Sequence, residues 1–122
     1  MFDRADQDVT ELADIDRQLA LLELDGDREA YATICAGFQK QLDRAMVVFE
    51  TVDIFNVQPA LKAIHELITS AHIVGARKAS VYLRHCESLL VSGELTQRSD
   101  VESVLDGVRG LLAALRREAA QV

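Results

Sequence analysis

Five side chains in this 122-residue chain suit nucleophilic or metal chemistry near neutral pH: His65, His72, His85, Cys35 and Cys86. A neutral imidazole, with an unperturbed pKa of about 6.5, is a competent nitrogen nucleophile. His65 and His72 are seven residues apart, and no pairing of the three histidines with Cys86 matches a known ligand spacing, so a zinc site is disfavoured. Both cysteines fall in amphipathic patterns where a small hydrophobe would serve, the pattern of buried, reduced thiols. His65 has the best-defined setting. On a helix at about 100° per residue, Ala60, Ile64, Leu67, Ala71 and Val74 gather on a core side. His65 falls outside that arc, on a rim shared with Lys62, Thr69 and His72, while Leu61 and Ile68 bring apolar surface to its edge.

The elements that must carry this rim read as helices throughout. Asp8 and Glu11 form a capping-box pattern ahead of Leu12, Ile15, Leu19 and Leu22, predicting a short first helix that ends near Leu24. Asp25-Gly26-Asp27 stops it, with Gly26 at positive φ and Asp27 as the next N-cap. Tyr31, Ile34, Cys35, Phe38, Leu42, Ala45, Met46 and Phe49 then hold the three-four alternation to about Val52. Asn56 can cap the His65 helix, whose first turn tolerates Pro59, and Gly75 can close it in a left-handed cap. Val81, Leu83, Cys86, Leu89 and Leu90 mark a fourth helix ending at Ser92-Gly93. Ser99-Asp100-Val101-Glu102 is a second capping-box pattern. It opens a last helix with Val101, Val104, Leu105, Val108, Leu111, Leu112 and Leu115 inward and Arg116 and Arg117 at its C-terminus. No stretch alternates with period two. The expectation is an all-α domain over residues 1–122: an antiparallel up-down-up-down four-helix bundle with an additional short N-terminal helix covering one end.

Thirteen Lys and Arg against twenty Asp and Glu give a formal charge of −7, the wrong sign for collecting nucleic-acid phosphates or lying on an anionic membrane. The longest apolar runs, such as Leu111 to Leu115, are far shorter than a membrane span, and the chain opens Met-Phe-Asp-Arg-Ala-Asp rather than with a basic and then apolar stretch. It reads as a cytoplasmic, monomeric domain with no nucleic-acid or membrane partner.

His65, one residue, Leu67, then Gly75-Ala76 resembles the histidine-containing phosphotransfer (HPt) domains of bacterial and plant phosphorelays. The Asp25-Gly26-Asp27 turn before Tyr31 and Phe38, and Cys86 to Leu90 on the following helix, resemble the same framework, from about Leu12 to Leu115. The resemblance implies a bundle with no cofactor of its own. Its His65 accepts a phosphoryl group from a receiver-domain aspartate and passes it to another receiver, Mg²⁺ residing on the receiver. Implied partners are response-regulator receiver domains, a hybrid sensor histidine kinase, or both, docking on a face that includes Leu61, Lys62, Ile68, Thr69, His72 and Ala76. The family usually has Lys and Gly three and four residues after the histidine; here these are Ile68 and Thr69. A lysine there leans back over the ring and can pair with the phosphoryl group, and a glycine opens access to it. The alternative reading is therefore a degenerate HPt-like bundle that binds proteins without efficient transfer. His72 reads as a solvated neighbour or a contact for the phosphoryl group, and Arg84 as a cation within reach of the His65 face if the helix register allows.

Overall fold

The computed structural model describes residues 9–121. Its elements are helices: α1 (Val9–Leu12), α2 (Arg17–Glu23), α3 (Arg28–Glu50), α4 (Gln58–Val74), α5 (Arg77–Ser92) and α6 (Arg98–Ala119). Among the described residues, β-type pairing is confined to an isolated bridge between Asp53 and Asn56 in the α3–α4 connection. No described helix is long and apolar enough to cross a membrane.

The turn chemistry forms where it is local. Asp27 caps α3, its carboxylate accepting from the Ala30 N–H at 3.0 Å, after a turn in which Asp25 and Gly26 both take positive φ. Gly75 ends α4 at φ 101°, with the Ala76 N–H donating to the Ala71 carbonyl at 2.8 Å in a Schellman-type closure, and Gly93 ends α5 at φ 77°.

Elsewhere tertiary contacts shift the boundaries. The single N-terminal helix expected up to Leu24 is two helices, because Asp16 is pinned to the α4–α5 turn. Its N–H donates to the Gly75 carbonyl at 3.0 Å, and its carboxylate caps α2 by accepting from Leu19 at 3.0 Å. The linker between α1 and α2 buries Ala13 and Ile15. The capping box expected at Asp8 lies outside the described residues. Val57, not Asn56, occupies the N-cap of α4; the Asn56 side chain accepts from the Gln58 N–H at 3.4 Å. The expected box at Ser99 is also displaced. α6 starts at Arg98, so Ser99 lies inside the first turn, and the Arg98 guanidinium sits 4.6 Å over the Phe55 ring.

Side-chain pairs fix the directions of the long helices. The Tyr31 hydroxyl near the start of α3 donates to the Val74 carbonyl at the end of α4 (2.8 Å). His65 meets Glu87 and the Ser80 hydroxyl donates to the Ile68 carbonyl, so α4 and α5 run antiparallel. Arg109 donates to the Phe49 carbonyl and Gln39 to the Ala119 carbonyl, so α3 and α6 do too. α3 packs on α4 and α6, and α5 on the same two helices, while α2 contacts α3 and α4 and α1 contacts α5 and α6. Leu42, Phe49, Ile64, Leu67, Leu83, Leu111 and Leu115 fill the centre; full burial of each such side chain contributes about 1.5–3 kcal/mol. On α5 the inward set is Ala79, Ser80, Tyr82, Leu83 and Cys86. Val81, expected on that face, is exposed.

Candidate functional site

His65 sits mid-way along α4 with 76% of its side chain exposed, and its Nδ1 lies 2.8 Å from Oε2 of Glu87 on α5. Glu87 is more enclosed, with 26% of its side chain exposed. A carboxylate only accepts, so the contact places the proton of the neutral ring on Nδ1 and leaves the Nε2 lone pair free. Glu87 thereby orients the ring as well as choosing its tautomer, as a carboxylate partner does for a metal-bound histidine. The ring is held on one side and open on the other.

The two helices reach this geometry through the Gly75 turn. A Cβ on Gly75 would stand 2.3 Å from the Asp16 carbonyl oxygen, so both its φ and its surroundings require glycine. Ala76, Ala79 and Ser80 at the start of α5 are small and buried, which lets the two helices approach closely. Ser80 is the one buried polar residue among those described, and its hydroxyl is satisfied by the Ile68 carbonyl at 2.8 Å.

The other residues of the expected face divide. Lys62, Thr69 and His72 are exposed on α4, and Leu61 is half-buried. Two expectations require correction. Ile68 is 6% exposed and belongs to the core under α5, so its side chain offers a partner no docking surface; Ala76 is fully buried as the residue preceding α5. The position three after His65 therefore carries no cation over the ring. Arg84, exposed on α5, lies one turn before Glu87, the residue of that helix that meets His65. Glu87 was the residue that single-helix reasoning missed. It lies nearly as far after the Gly75 turn as His65 lies before it, and that symmetry of an antiparallel pair was the available signal.

The two thiols are out of reach. Cys35 and Cys86 are free and buried. Burial pushes the Cys86 thiol up to about 12 and raises that of Cys35 as well, so neither is a thiolate at neutral pH. Among the described residues, no group of three or more His, Cys, Asp or Glu is placed to hold a metal ion. The chain matches no protein-family model, no curated protein and no solved structure.

Proposed function

We propose that this protein is a histidine phosphotransfer protein of a two-component phosphorelay, an up-down-up-down four-helix bundle of α3–α6 carrying two short N-terminal helices, working in the cytoplasm. The observation that carries this reading is the exposed His65 ring with Nδ1 held by Glu87. In the proposed reaction the Nε2 lone pair attacks the phosphorus of a receiver's aspartyl phosphate. The N–P bond forms as the P–O bond to the aspartate breaks, and the aspartate leaves as a carboxylate. The ring then carries positive charge with its proton still on Nδ1, and Glu87, facing that proton, stabilises the cation. Reversal onto a second receiver's carboxylate restores the neutral ring. Mg²⁺ on the receiver neutralises the phosphoryl oxygens. This chain contributes presentation, orientation and charge compensation for the ring. Its partners are response-regulator receiver domains, a hybrid sensor histidine kinase, or both.

A second reading, a binding module without efficient transfer, is favoured by one observation: a buried Ile68 stands where a phosphate-pairing lysine would act. Transfer from a receiver domain phosphorylated on its aspartate separates the two. Acid-labile phosphate is expected on the wild type and not on His65→Gln. Label retained by His65→Gln overturns the assignment of His65, and receiver binding without label on the wild type favours the second reading.

A further inference from the structure

The α3–α4 seam, on the side of α4 away from Glu87, is open. Two adjoining hollows of about 430 and 210 Å³ share Gln41 and Arg44 and form one groove, running from Ile34 and Ile73 at one end to Val48 and Pro59 at the other. Along α3 that span corresponds to about 21 Å, the length of roughly four helical turns. Its floor is apolar, and Ile73 leaves 43% of its surface exposed at the mouth.

Two independent features indicate what would lie there. The first is Gly37, which lines the groove inside α3, where a Cβ would meet nothing within 4 Å. Glycine inside a helix is unfavourable relative to alanine, and no packing among the described residues requires it. A bare backbone at that point lets a second backbone come close. The second is charge. Arg44 and Lys62 face each other across the groove from α3 and α4, and neither has an ion-pair partner among the described residues. Glu66 is the one anion of the lining, and neighbouring Asp43 is engaged by Arg116 of α6 at 2.7 Å. On a chain of net charge −7 this is a local excess of positive charge over an apolar floor.

We propose that the α3–α4 groove docks an amphipathic helix of a partner protein, its apolar stripe on the floor, its acidic flanks on Arg44 and Lys62, and its backbone closest to α3 at Gly37. The groove shares Lys62 with the face expected around His65, but the ring itself is not part of it, because His65 reaches toward α5 and the groove lies toward α3.

The test uses the full chain and two fluorescein-labelled synthetic helical peptides of about 14 residues, the length the groove accommodates. Both share one leucine stripe; one is flanked by Glu and the other by Lys. The Glu peptide is expected to bind about ten-fold more tightly by fluorescence anisotropy. Arg44→Glu combined with Lys62→Glu should reverse that preference. Gly37→Leu should abolish binding while keeping the helical circular dichroism of the wild type, since the added side chain fills the groove without a clash. His65→Gln should bind as the wild type does, so failure of the phosphotransfer reading would leave this result standing. Equal binding of both peptides, no saturable binding of the Glu peptide, or unchanged binding by a folded Gly37→Leu protein overturns the proposal.

Discussion

Two glycines mark two seams of the same helix that the fold treats in opposite ways. Gly75, at the α4–α5 turn, takes a left-handed φ and is pressed against the Asp16 backbone; Gly37, on the α3–α4 seam, has open space where a side chain would be. The α4–α5 seam is tied by Ser80 on the Ile68 carbonyl and Glu87 on His65, while Tyr31 on the Val74 carbonyl ties α3 to α4 only at the end of their seam. The α3–α4 seam holds two cations with no ion-pair partner among the described residues and an isoleucine half in water. A reacting ring gains from being held in one orientation, whereas a docking surface must have room to receive something. Rigid packing at one seam and vacancy at the other can thus coexist on one short helix.

The largest expected effect comes from putting the same alanine at each glycine. Gly75→Ala forces a Cβ into a left-handed residue and into the Asp16 carbonyl, and should lower unfolding stability by at least about 3 kcal/mol. Gly37→Ala should instead raise it by about 0.5–1 kcal/mol, through helix propensity alone. Urea titrations of both variants check the pair; losses of similar size would erase the distinction between the seams.

Ile68→Lys probes the closed seam next. Ile68 is buried against α5, so installing there the lysine usual in HPt domains should cost about 2 kcal/mol in stability, and any gain in phosphotransfer would come from a disturbed α4–α5 packing. Thermal denaturation measures this directly; an unchanged melting temperature would place Ile68 at the surface.

Glu87→Ala removes both the orienting acceptor and the charge facing the phosphorylated ring, and should slow transfer from a phosphorylated receiver by about ten-fold or more, consistent with a charge-assisted hydrogen bond of roughly 1.5–3 kcal/mol. Glu87→Gln, which keeps an acceptor for Nδ1–H, should recover part of the loss. Equal rates for all three proteins would reduce Glu87 to a surface ion pair.

Alkaline pH tests the closed interior by another route. The Cys86 thiol, pushed up to about 12 by burial, stays protonated in the fold while the unfolded chain ionises from its ordinary value of 9.0. The native state then binds more protons than the unfolded one. Its stability is complete below pH 9 and is lost as pH rises toward 12, by about 1 kcal/mol at pH 10 from this group. Burial raises the Tyr31 hydroxyl too and adds to the loss at still higher pH. Melting curves from pH 8 to 11 should show the decline and Cys86→Ala a shallower one; parallel slopes would contradict it.

What could be read from the sequence was what is local to a turn or to one helix face. Asp27, Gly75 and Gly93 act through hydrogen bonds or dihedrals within a few residues, and the inward faces of α3, α4 and α6 follow from periodicity. The break between α1 and α2 was hidden because Leu12, Ile15 and Leu19 keep a helical rhythm across it; the cause, Asp16 on Gly75, spans the chain. Ile68 looked like a rim residue because one helix does not reveal how far its neighbour wraps over it, and small Ala79 and Ser80 bring α5 close enough to cover it. Val81 was misplaced on the inward face for the same lack of a neighbour. Exposure of His65 was legible from α4 alone, but Glu87 required the register between two helices, and the Arg44–Lys62 groove required the spacing between two others.

The central claim is that His65 accepts phosphate on Nε2 because Glu87 holds Nδ1. It is tested most directly by long-range ¹H–¹⁵N spectra of the histidine-labelled protein before and after phosphorylation by a phosphorylated receiver domain. The account predicts a protonated Nδ1 in the neutral His65 ring, phosphorus coupling on Nε2 of His65 afterwards, and unphosphorylated rings at His72 and His85. Phosphate on Nδ1, or on either other histidine in place of His65, would contradict it.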